Sequence, residues 1–117
     1  MSISVDLHDL QDVVAGQAPF AYLLTVSGDG RPHAVAVAPR VDDAEVVCDA
    51  GSTSCANAAA RADVSFLWPP ATPADYSLIV DGRAEVDGSV VRVTPARAVR
   101  HRPGPGGGSD CQPVNLS

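Results

Sequence analysis

The chain opens on a helical period and then changes to a strand period. In "VDLHDLQDVVAGQ" the apolar positions Leu7, Leu10, Val13 and Val14 share one helical face. Asp6 stands where an N-cap belongs and Gly16 where a helix stops. From Phe20 onward the apolar residues come in short β-rich runs: "FAYLLTV", "PHAVAVAP", "AEVVCDA", "DVSFLW", "YSLIVDGRAEV" and "SVVRVTP". The segment "SGDG" (Ser27 to Gly30) predicts a hairpin between the first two runs, because its glycines tolerate the positive φ of tight turns. Asp42-Asp43 and Asp87-Gly88 mark two further turns, and the Ala-rich stretch Ser54 to Arg61 reads as a short helix. Six strands at this spacing, with one or two short helices, predict a mainly β fold: an antiparallel barrel rather than a crossover α/β sheet.

Within "HAVAVA" the valines 35 and 37 share one face and the alanines take the other. An alanine face lets another strand layer or a flat ligand approach closely. Composition adds a second expectation. Apolar residues make up 45% of the 117, but only 4% are aromatic, so the core is built from small contacts. Such a chain is expected to complete its core by pairing with a second copy. The net charge of −6 excludes nucleic acid and anionic membrane as partners, since both require a basic surface.

The three cysteines, Cys48, Cys55 and Cys111, show no CxxC spacing, and His8, His33 and His101 stand at no zinc-ligand spacing. No metal site is expected. Cys48 and Cys55 are either a redox pair or buried small hydrophobes, the second being favoured. With no signal-peptide pattern and no apolar run near the ~20 residues of a membrane span, the expected location is the cytoplasm. Residues 1–102 read as one barrel domain and 103–117 as a Gly/Pro-rich tail. The tail is expected to be ordered by packing, with Val114 and Leu116 as its apolar anchors.

The stretch "GSTSCAN" (Gly51 to Asn57) gathers hydroxyls and backbone N–H groups where the short helix begins, as an anion site requires, yet contains no cation. Taken with "AYLLTVSGDGRPHAVAVAP", "VSFLWPP", "YSLIVDGRAEVDG" and "VVRVTP" in that order, it resembles the pyridoxamine 5′-phosphate oxidase-like family of FMN-binding split β-barrels. That group includes flavin- and deazaflavin-dependent oxidoreductases of actinobacteria. The resemblance spans about Phe20 to Arg102. It implies a homodimer with flavin sites at the subunit interface, the ring over strand backbone and the phosphate on the loop and helix after the third strand. Ser52 and Asn57 match the family's serine and asparagine, while Ser54 stands where relatives carry a lysine. The arginine that relatives place in the second strand is also absent, with His33 or Arg40 as the nearest candidate. Tyr76 and Ser77 stand where relatives offer a polar ring contact.

The candidate cofactor residues are therefore Ser52, Thr53, Ser54, Asn57, His33, Arg40, Trp68 and Ser77. For the loop residues and Asn57, the alternative is ordinary helix capping. For Trp68, interface packing comes first and ring contact second. For His33 the alternative is a half-exposed strand residue, and Arg83 is read as a salt-bridge partner. No side chain offers a strong nucleophile or an acid–base pair, so the catalytic residues are left unassigned. The resemblance implies an FMN-dependent oxidoreductase of a small organic substrate, with F420 as second cofactor candidate. The alternative is a non-enzymatic dimer, cofactor-free or carrying a flat ligand such as flavin, F420 or haem.

Overall fold

The computed structural model describes residues 1–104. The strands are β1 (Ser2–Val5), β2 (Ala21–Val26), β3 (Pro32–Val37), β4 (Arg40–Asp42), β5 (Glu45–Asp49), β6 (Asp63–Trp68), β7 (Ser77–Asp87) and β8 (Val90–His101). Two helices interrupt them, α1 (Leu10–Ala15) and α2 (Ser52–Ala60), with a 3-10 turn at Leu7–Asp9 ahead of α1. All strand pairings are antiparallel, in the order β3-β2-β6-β7-β8-β5-β4, with β1 also on β8. This is the expected split-barrel architecture, but with eight strands instead of six. The additions are β1, whose residues are mostly exposed, and the three-residue β4. Both are too short to show a period of their own, and each exists because a longer neighbour offers an edge.

The backbone of the sheet is the β7–β8 hairpin, paired from Ser77↔His101 to Asp87↔Val90. Its turn carries Gly88 at φ +62°. On its far edge β8 takes β5 along its first half and β1 along its second. A bulge at Asp81/Gly82 bends the hairpin, which lets so long a ribbon curl around the core. Gly82 is required there, because a Cβ would lie 2.5 Å from the Thr94 carbonyl oxygen and 2.6 Å from a Val93 methyl.

Inside the curl, Leu23, Val46, Phe66, Leu78, Val80, Val91 and Val93 are fully buried, with Trp68 2% exposed. The α1 region closes one end through Leu10. Gly16 ends α1 as read from the sequence, but Asp6, accepting a 2.9 Å bond from the His8 N–H, caps the 3-10 turn, and Asp9 stands at the N-cap of α1. Helix α2 lies against β2 and β7 and is tied in by a buried hydrogen bond: Asn57 Nδ2 donates to Thr25 Oγ1 at 3.1 Å. Gln17 pins the β6–β7 connection by donating to the carbonyls of Tyr76 (2.9 Å) and Pro69 (3.2 Å). No helix among the described residues is long and apolar enough to cross a membrane. The expectation of a tail ordered by packing through Val114 and Leu116 falls on residues 105–117, which lie outside the described residues.

Candidate functional site

The strand order ends on β3 and β4, which follow one another in sequence through Ala38-Pro39 but do not pair. That break is the split in the barrel. Along it, β3 and the β5–α2 segment form the two walls of a cleft of about 510 Å³. His33, Val35, Ala36 and Val37 line one wall; Asp49, Ala50, Gly51, Ser52, Thr53 and Ser54 line the other. One wall is a strand edge with small and branched apolar side chains, and the other is the start of a helix.

The helical wall is rich in unsatisfied donors. Gly51 is the N-cap of α2 in extended conformation, and no side chain among the described residues caps that end. The first intrahelical bond runs from the Cys55 N–H to the Gly51 carbonyl at 3.0 Å, so the N–H groups of Ser52, Thr53 and Ser54 precede the helical ladder. Their positive dipole end favours an anion. Ser54 is 1% exposed and lines the cleft. Ser52 and Thr53 are exposed at the lip.

The cleft thus brings together four of the eight residues singled out from the sequence: His33, Ser52, Thr53 and Ser54. The other four lie elsewhere. Asn57 turns inward to Thr25 and serves α2 docking. Trp68 is buried against Phe66, with ring centroids 5.5 Å apart, in the core of its own chain. Arg40 is exposed on β4, opposite Val47. Ser77 begins β7 opposite His101, on the alternate side from the buried Leu78. Its neighbour Tyr76 is covered by two guanidinium groups, Arg102 at 4.4 Å and Arg100 at 5.2 Å from the ring centre. Arg61 is occupied by the Gly28 carbonyl at 3.2 Å, and Arg83 pairs with Asp63 at 3.1 Å as expected. Cys48 and Cys55 are free, buried thiols just behind the cradle. Burial first, then the nearby Asp49 and Cys55, pushes the Cys48 thiol up to about 11.

Sequence reading missed Asp49 and Ala50. The signal was present, since both directly precede "GSTS", but a strand end followed by a loop looks the same whether or not a cleft opens beside it. Asp49 matters because it brings negative charge into a cleft whose lining contains no arginine. For a flavin, the donors and the apolar strand edge fit the phosphate and the ring. The cation that usually accompanies such a phosphate is not in the lining.

No family model matches the chain. Two uncharacterized proteins, Mb0449c of Mycobacterium bovis and MT0457 of Mycobacterium tuberculosis, are each 43% identical over 101 residues, covering 72% of this chain and 71% of the relative. Among solved structures, an F420 reductase superposes with a TM-score of 0.63 at 14% identity, covering 74% of this chain and 94% of its own. An FAD-binding protein of Mycobacterium smegmatis superposes with a TM-score of 0.60 at 20% identity, covering 87% and 100%. An FAD-binding protein of Mesorhizobium loti gives 0.65 at 14%, covering 86% and 96%. At these identities the structural likeness establishes the fold.

Proposed function

We propose that this chain, which belongs to the family of Mb0449c and MT0457 and has the split-barrel fold, is a flavin- or deazaflavin-dependent oxidoreductase of a small organic substrate. The observation that carries this reading is the cleft: three N–H groups ahead of the helical ladder, with the buried Ser54, face an apolar strand edge. When bound, such a cofactor supplies hydride transfer. The chain's own part is to bind and orient. Ser52, Thr53 and Ser54 donate to a phosphate. Val35, Ala36 and Val37 give the ring an apolar wall that excludes water from one side. His33 is half-buried at the same wall and in this reading hydrogen-bonds a ring or substrate carbonyl. FMN and F420 are the two named candidates.

The site is proposed to work in a homodimer. The outer face of β2, β3, β6 and β7 sets Tyr22, 41% exposed, between Ala36 and Leu67. Leu24 lies beside Ala34, and Ile79 beside Leu67. This apolar face would be covered by a second copy. The lack of an arginine in the cleft lining favours one other reading, a dimer that carries no cofactor.

The test is a titration of the purified protein with FMN, riboflavin and F420, followed by absorbance and fluorescence. Saturable binding at about micromolar concentration supports the oxidoreductase reading. No spectral change with any of the three, up to about 100 μM, supports the cofactor-free reading instead.

A further inference from the structure

We propose that the open end of the β7–β8 ribbon is a binding site for a small oxyanion, a phosphate or a carboxylate, formed by Arg100 and Arg102 over the ring of Tyr76. This site is separate from the cleft. Ala50, in the cleft wall, donates to the Ser89 carbonyl at 2.9 Å, at the turn end of the ribbon. Arg100 stands opposite Leu78, at the other end. The proposal is therefore independent of the flavin reading.

The balance of charge carries it. Arg83, Arg92 and Arg97 pair with Asp63, Glu45 and Asp81. Arg100 and Arg102 have no carboxylate partner among the described residues. The register explains why: Arg100 lies between Ile3 of β1 and Leu78 of β7, apolar on both sides. Asp75, next to Tyr76 in sequence, accepts a 2.7 Å bond from Thr72 Oγ1 instead. Both guanidinium groups are nevertheless held together by the Tyr76 ring, 4.4 and 5.2 Å from its centre. The chain's terminal ammonium donates to the Arg102 carbonyl at 3.0 Å and adds positive charge at the same end. In a chain of net charge −6, this is a local reversal of sign.

The donors at this end are largely unspent. A ring face attracts a cation but accepts few of its five N–H groups. Arg102 Nη1 makes one long bond, 3.4 Å to the Ala74 carbonyl. The Nε of the half-buried Arg100 is sealed from solvent and meets no acceptor among the described residues. A cation that has given up water without gaining an acceptor is under-satisfied, and a like charge beside it adds repulsion. An oxyanion relieves both, because the guanidinium fork matches paired oxygens. Beside the cluster, Pro73, Ala74, Arg102, Pro103 and Gly104 line a cavity of about 300 Å³, room for a small ligand.

The test uses the full chain, isotope-labelled, at pH 7 and fixed ionic strength. Sodium phosphate and sodium succinate are titrated separately, with sodium chloride as the control for screening. At least one oxyanion should shift the Arg100 Nε–Hε resonance and the amides of Ala74 to Tyr76, saturating at about millimolar concentration. A response to phosphate alone supports the site as one for phosphate groups, and a response to succinate alone as one for carboxylates. Arg102→Gln removes an exposed side chain and should weaken binding about tenfold. Arg31→Gln removes the same charge from the exposed β2–β3 turn and should leave binding unchanged. No saturable shift with either oxyanion overturns the proposal. So do equal shifts with chloride, equal weakening by the two substitutions, or shifts confined to Gly51 to Ser54. No flavin enters the experiment, so its failure leaves the proposed function standing.

Discussion

Asn57 and Cys48 show how burial assigns a residue its role. The asparagine stands at a cofactor position of the family motif, yet its amide is spent on Thr25, which is 2% exposed. Asn57→Ala should cost about 1–3 kcal/mol in urea unfolding, because the Thr25 hydroxyl is left buried without its donor. Flavin affinity should be little changed. Cys48 is held protonated by burial, with a folded value of about 11 against 9.0 for a free thiol. The sign follows from proton counting: between those values the unfolded chain has lost a proton that the folded chain keeps. The Cys48 contribution to stability is therefore constant below about pH 9 and falls as pH rises toward 11. Comparing unfolding midpoints of wild type and Cys48→Ala across pH 8 to 11 checks it: only the wild type should carry this extra decline. In a Cys111→Ser background, native protein at pH 7.5 should leave Cys48 and Cys55 unreacted by a thiol reagent. At this scale the sequence was legible where chemistry was local, as in the hydroxyls of Ser52 to Ser54. It was not legible where a partner lay far along the chain, as Thr25 does for Asn57.

Strand runs with a strong period, β2, β3, β5, β6 and β7, were readable because each alternates or packs densely over five or more residues. β8 was read only to its proline and in fact continues to His101, since the bulge opposite Gly82 absorbs Pro95 and Ala96 without ending the ladder. β1 and β4 had no signal of their own. Gly82→Ala is expected to destabilise the protein by about 1–3 kcal/mol, because the new Cβ would press on the β8 backbone. Thermal unfolding measures it. The β4–β5 turn points the other way: Asp43 (φ 48°) and Ala44 (φ 68°) both sit in the left-handed region. Alanine is strained there and glycine is not, so Ala44→Gly should stabilise by up to about 1 kcal/mol. A rise in melting temperature is the expected result.

In the proposed assembly, one split barrel meets a second copy through the outer sheet face and the ligand lies in the split. Light scattering should give twice the 12.0 kDa chain mass, and Tyr22→Arg should shift it toward the monomer by charging the apolar face. The barrel class could be read from strand spacing, but the cleft could not, because its two walls are brought together only when β3 and the β5–α2 segment meet across the split. The most direct measurement of the central claim is therefore an amide chemical-shift map of the labelled protein titrated with the tightest-binding flavin or deazaflavin. The largest changes should fall on Gly51 to Ser54 and on His33 to Val37, the two walls of the cleft. Changes confined to other surfaces, with these two segments unmoved at saturation, would contradict it.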